Sequence, residues 1–104
     1  MKKLDEKKTP LEKALLLIGK KHDLLILDSL FSRGKKAGFN QLLKSLPNAN
    51  PRILSIRLKE LEQNKLITKS LVLGAPVKTE YTLTSKAEEL IEIIEKLKKW
   101  GEKH

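Results

Sequence analysis

The segment from Asn50 to Thr84, NPRILSIRLKELEQNKLITKSLVLGAPVKTEYTLT, constrains the fold more than any other part of the chain. Asn50 can cap a helix with its side chain, and Pro51 is preset for the first helical turn. Leu54, Leu58, Leu61 and Lys65 then fall near one stripe at about 100° per residue, the spacing of a helix with one covered face. Asn64 is the expected left-handed stop. Ile67–Leu73 and Val77–Leu83 read as strands, with Gly74-Ala75-Pro76 between them as a tight connection. A helix with one buried stripe that runs straight into a hairpin leaves few architectures open.

The preceding residues narrow the choice. Thr9-Pro10-Leu11-Glu12 has the pattern of a capping box with proline at the first helical position. The helix it opens carries Leu11, Ala14, Leu15, Leu16, Leu17 and Ile18 and ends at Gly19. A second helix is predicted from about His22 to Ser32. Arg33 to Gly38 is a basic, glycine-containing loop with room for a very short strand. Phe39-Asn40 opens a short helix, with Asn40 as its cap and Leu42, Leu43 and Leu46 as its apolar positions. Pro47-Asn48-Ala49 is a turn, and Thr84 or Ser85 caps a last helix that reaches Trp100-Gly101. The fold class is α+β, mainly α. Two short helices joined by a turn and followed by a hairpin have the order of a winged helix-turn-helix; an unrelated α+β domain of short elements is the other reading. Residues 1–8 form a charged arm expected to fray, and residues 9–104 a single domain with no internal repeat.

Charge points to the same segment. The net charge is +9. Residues 19–80 carry twelve Lys/Arg against five Asp/Glu, residues 1–18 five against three, and residues 81–104 five of each. The positive excess therefore sits around the helix and hairpin, as expected for a polyanionic partner. The chain has no cysteine, which excludes disulfides and thiolate metal sites. No leader or membrane-length apolar run is visible, so a cytoplasmic location is expected and a membrane role is not.

If Leu54, Leu58 and Leu61 face inward, the outer face of the helix carries Arg52, Ser55, Ile56, Lys59 and Gln63. Side chains near the N-terminus of such a helix reach base edges in the major groove. Arg52 suits a bidentate contact to guanine, Ser55 a base or phosphate, Ile56 a thymine methyl, and Lys59 a phosphate. Arg57, on the flank, can meet either a phosphate or a neighbouring carboxylate. The plain alternative is a solvated helix face. Lys35 and Lys36, beside Gly34 and Gly38, and Lys78, past the hairpin tip, are candidate phosphate contacts. With Asn50 at the helix start, these residues make up the candidate DNA-binding set.

The last helix carries Leu90, Ile91, Ile93, Ile94, Leu97 and Trp100, a stripe wider than one small domain needs. The first helix is also over-apolar. Packing of the two against a second copy explains both, with Leu11, Leu15, Ile18, Leu90, Ile94, Leu97 and Trp100 as the expected interface; simple closure of the monomer core is the alternative. No catalytic arrangement is visible. His22 and His104 are far apart, and Glu88, Glu89, Glu92 and Glu95 alternate with lysines on a solvated face. Neither metal nor cofactor is expected.

From about Thr9 to His104 the chain resembles the HxlR-type winged-helix regulators. ALLLIGKKHDLLIL looks like the opening helix, glycine and second helix of that family. FNQLLKSLPNANPRILSIRLKELEQNKLI is similar to its central signature, Thr79–Thr84 to its second wing strand and following cap, and Trp100-Gly101 to a frequent ending. The resemblance implies a homodimer through the first and last helices, the helix over 50–64 in the major groove, and the hairpin over 67–83 as the wing on the minor groove or phosphates. Four positions depart from the pattern. Thr9 stands where many members carry a cysteine that some use for sensing, and His22 stands for a tryptophan. Gly38 replaces a basic residue, and Ile56 a polar one. The expected function is dimeric, sequence-specific regulation at a pseudo-palindromic operator on double-stranded DNA. The alternative is a winged-helix protein that coats DNA without sequence preference or binds another protein.

Overall fold

The computed structural model describes residues 8–104. The arm expected over residues 1–8 thus lies outside the described residues, Lys8 excepted. The chain forms α1 (Pro10–Ile18), α2 (Asp23–Ser32), β1 (Lys36–Gly38), α3 (Phe39–Ser45), α4 (Pro51–Gln63), β2 (Ile67–Val72), β3 (Lys78–Leu83), α5 (Ser85–Glu88) and α6 (Ile91–Lys103). The antiparallel sheet has the order β1-β3-β2. Its register pairs Ile67 with Leu83 through Val72 with Lys78, and Lys36 with Thr82 through Gly38 with Glu80. This is the winged helix-turn-helix arrangement: α3 and α4 joined by a turn, then the β2–β3 hairpin as wing.

Local chemistry sets most boundaries. The Thr9 N–H donates to Glu12 Oε1 at 2.9 Å, and the Glu12 N–H donates to Thr9 Oγ1 at 3.2 Å, a closed capping box. That same bond to the Thr9 backbone holds the Glu12 carboxyl below its ordinary pKa. Asn50 Oδ1 accepts the Ile53 N–H at 2.8 Å and caps α4.

Three expected boundaries shift. The cap of α3 is Gly38, not Asn40, because Gln41 Oε1 reaches back to accept the Gly38 N–H at 2.9 Å. The left-handed residue after α4 is Lys65 (φ 62°), while Asn64 keeps φ −83°. The Leu66 N–H must turn back to the Leu61 carbonyl at 2.9 Å, and that places the reversal one residue later. The last helix is two pieces. Thr84 caps only the short α5, and α6 starts at Ile91 and runs to Lys103.

One apolar core holds the pieces together. Ile26, Leu27 and Leu30 of α2, Leu42 of α3, and Leu54, Leu58 and Leu61 of α4 meet Ile67, Tyr81 and Leu83 of the sheet and Ile94 of α6. α1 contributes no fully buried side chain. A buried polar link fixes α4 against α2. Asp23, with none of its surface exposed, accepts the Lys20 N–H at 3.0 Å and Arg57 Nε–H at 2.9 Å. Arg57 also bonds Glu60 on its own helix. Burial pulls the Arg57 guanidinium down, but hydrogen bonds and charges from Asp23 and Glu60 outweigh it, and its pKa is raised. With a raised pKa, the stabilisation from this cation is fully present below the ordinary guanidinium range and is lost only at higher pH. The link is therefore indifferent to pH near neutrality on the Arg57 side.

The far end of α4 is clamped as well. Thr84 Oγ1 donates to the Lys65 carbonyl at 2.7 Å, and Lys86 Nζ donates to the Asn64 carbonyl at 3.0 Å. Residues at the start of α5 thus satisfy carbonyls that the end of α4 leaves open.

Removing one partner of a buried ion pair strands the other. Asp23→Ala is expected to destabilise the protein by about 3–5 kcal/mol, read by urea unfolding at fixed protein concentration. Asp23→Ala/Arg57→Met should recover part of that loss. A single-variant loss below about 1 kcal/mol would show that the pair behaves as a surface one.

Candidate nucleic-acid interface

With Leu54, Leu58 and Leu61 in the core, helical geometry leaves Arg52, Ser55, Ile56, Lys59 and Gln63 on the exposed side of α4. Ile56 is 47% exposed. Among the described residues, Arg52 and Lys59 are in no ion pair. The face has the mixture that base-edge readout uses: a fork-shaped cation, a hydroxyl, an aliphatic group and an ammonium.

Arg57 does not belong to that face. Only 13% of its side chain is exposed, and its guanidinium is committed to Asp23 and Glu60. Of the two partners left open by the sequence, the structure provides the carboxylate. The reason is position: Arg57 sits next to the buried Leu58, on the side of α4 that meets α2. Asn50 spends its side-chain oxygen on the helix cap, and its amide group stays available at the same helix end.

The basic loop has a defined shape. Gly34 (φ 77°) and Lys35 (φ 75°) are both left-handed, a conformation that costs a lysine what glycine avoids. Two backbone bonds hold it: the Lys35 N–H donates to Leu30 O at 2.8 Å, and Lys35 O accepts the Leu83 N–H at 2.9 Å. The Lys35 ammonium pairs with Glu88, and that of Lys36 lies 3.7 Å from Glu80. Both side chains are about half exposed. Lys69 and Lys78, on the two wing strands, are exposed and in no ion pair among the described residues.

The outer helices sort the expected interface residues into three groups. Leu11 (69%), Leu15 (53%), Leu97 (49%) and Trp100 (65%) are exposed in the single chain. Ile18 and Leu90 are half-buried against the core and line a crevice of about 250 Å³ between α1 and the C-terminal helices. Ile94 is a correction: at 6% exposure it is a core residue that pins α6 to α2. A polar strut backs it, since Lys98 of α6 reaches Asp28 of α2 at 2.7 Å. Leu16, Leu25 and Ile93 add to the exposed apolar surface. Leu16 and Ile93 sit inside the runs already singled out, whereas the unbroken apolar run of α2 hid which way Leu25 faces. Asp23 is not singled out by the sequence; its one signal is an acidic residue directly before the apolar run Leu24–Leu27.

No described helix is long and apolar enough to cross a membrane. A model of the HxlR-like helix-turn-helix family matches residues 17–104. The HTH-type transcriptional regulator YodB of Bacillus subtilis is 33% identical over 92 residues, which span 88% of this chain and 80% of that protein. In three dimensions the redox regulator HypR in its oxidised form superposes with a TM-score of 0.85 at 29% identity, covering 92% of this chain and 97% of HypR. The reduced form of YodB superposes with a TM-score of 0.75 at 32% identity, covering 89% of this chain and 90% of YodB.

Proposed function

The chain belongs to the HxlR-like helix-turn-helix family, and from that membership we propose that it is a homodimeric, sequence-specific transcriptional regulator acting on a pseudo-palindromic operator. The relatives are named as helix-turn-helix transcriptional regulators; DNA sequence specificity, the dimer and the assignment of contacts are the proposal. The observation that carries it is the division of α4 into a face locked by the core and the Asp23–Arg57 link, and a face where Arg52, Ser55, Ile56 and Lys59 are free to meet a ligand. A helix held this firmly presents its outer side chains in one orientation, as base readout requires.

In this reading α4 lies in the major groove. Arg52 takes a guanine, Ser55 a base or phosphate, and Ile56 a thymine methyl. Lys59, the Asn50 amide and Lys78 hold the backbone. Lys35 and Lys36 join them, because half-exposed ion pairs are worth about 0–1 kcal/mol and a phosphate displaces their carboxylates at little cost. Arg57 acts from behind, by fixing the helix. The exposed Leu11, Leu15, Leu97 and Trp100 pack against a second copy, which sets two copies of α4 about one helical turn of DNA apart. A protein working on chromosomal DNA is placed in the cytoplasm. HypR is described as a redox regulator, but this chain has no cysteine, so a disulfide-based switch is not part of the proposal.

A pool of genomic fragments bound at physiological salt tests the reading. Enrichment of a pseudo-palindrome is expected, and uniform recovery would favour a coating protein instead. Arg52→Ala should cost about 1–3 kcal/mol on the enriched site and relax its base preference; an unchanged preference removes Arg52 from the readout set. Leu97→Glu should convert the dimer to monomer in sedimentation by burying an unpaired charge. A wild type that already sediments as a monomer defeats the dimer.

A further inference from the structure

The tip of the wing has the wrong chemistry for a solvated turn. Leu71 (63%), Val72 (44%), Leu73 (84%) and Val77 (54%) are all exposed within seven residues, with only Gly74, Ala75 and Pro76 between them. Isolated exposed aliphatic side chains are ordinary; four at one protruding end of a hairpin, in a chain that is 34% charged, are not. They are not spare core. The core ends lower on the hairpin, at Ile67, Tyr81 and Leu83.

The surroundings indicate what covers them. No acidic residue lies between Glu62 and Glu80, while Lys65, Lys69 and Lys78 do. Val72, Pro76 and Val77 form an apolar wall of an open groove of about 650 Å³, which Lys78 also lines. The side from the start of α3 offers the amides of Asn40 and Gln41 beside the ring of Phe39. The carboxylate that also lines it, Glu80, lies 3.7 Å from the Lys36 ammonium. One apolar wall beside amide and ammonium groups matches a sugar–phosphate strand, whose deoxyribose faces are apolar and whose phosphates are anionic.

We propose that the wing tip is an apolar wedge for the minor groove of duplex DNA. Leu71, Leu73 and Val77 pack on deoxyribose and base edges while one strand runs through the groove beside α3. This rests on the DNA-binding reading above and adds two properties to it. Part of the affinity is insensitive to salt, because aliphatic burial releases no counterions. The bound duplex is also bent, as it is by other proteins that insert aliphatic side chains in the minor groove.

The test uses the full-length protein and a duplex recovered from the genomic pool, labelled at both ends for energy transfer. Leu71→Ser/Leu73→Ser lies outside the core, and circular dichroism checks that it folds. It should bind about tenfold more weakly at every salt concentration, with the salt slope unchanged and the bend reduced. Lys78→Ala should instead lower the slope by about one. The energy-transfer bend of wild-type complexes is a second readout that needs no variant, and an unbent duplex overturns the proposal. Equal affinity of the serine variant and wild type also overturns it, as does a variant altered only in oligomeric state, which would make the tip a contact between copies. If the wild type enriches no fragment and binds no duplex, the failure lies with the regulator reading itself.

Discussion

A carboxylate taken fully out of water must be given hydrogen-bond donors, and the donors Asp23 finds determine how this domain is assembled. One is the Lys20 amide, in the turn after α1; the other is Arg57, in the middle of α4. The turn after α1, α2 and α4 are thereby tied through a single buried side chain. Apolar packing alone resists separation of α2 and α4 but is non-directional and tolerates sliding. A hydrogen-bonded ion pair does not tolerate it, since a small shift strands two charges in a poor solvent. The cost of burying the pair thus goes into fixing an angle.

That fixed angle explains why the two faces of α4 differ so sharply. Leu54, Leu58 and Leu61 are in the core, Arg57 is held, Asn50 closes the first turn, and Thr84 and Lys86 close the last. With both ends capped and one flank pinned, the remaining face has no structural work within the chain. The surplus apolar surface is divided in a similar way. Part of α6 serves the core through Ile94, while Leu97 and Trp100 stay outside it, and α1 has no fully buried residue. α1 is held by its capping box and by Leu17 and Ile18 against the core, and the rest of its apolar surface is left uncovered by its own chain.

Most elements were legible because their signals are local. Thr9-Pro10 and Asn50-Pro51 open helices in the structure as their capping chemistry requires, and the apolar period of α4 matches its buried positions, whereas on the hairpin only Ile67, Tyr81 and Leu83 are buried. The misses at element ends lie where two local signals compete and one bond a few residues away decides. Gly38 rather than Asn40 caps α3 because Gln41 folds back. Lys65 rather than Asn64 is left-handed because Leu66 must reach Leu61. The break at Glu89-Leu90 divides what reads as one helix. In the site, the exposed face of α4 was legible, since period alone puts Arg52, Ser55, Ile56 and Lys59 opposite the leucines.

The sequence by itself determined the order of elements, the buried stripe of α4, the basic excess around it and the absence of any thiol, all carried by single residues or short periods. The tertiary structure decided the rest. Arg57 turns inward because Asp23, 34 positions away, waits there; Ile94 belongs to the core because α6 lies on α2; and an apolar tip stands clear because the core ends at Tyr81. Each of these depends on which residues meet across long stretches of chain, and a contact of that kind leaves no local period or motif to read.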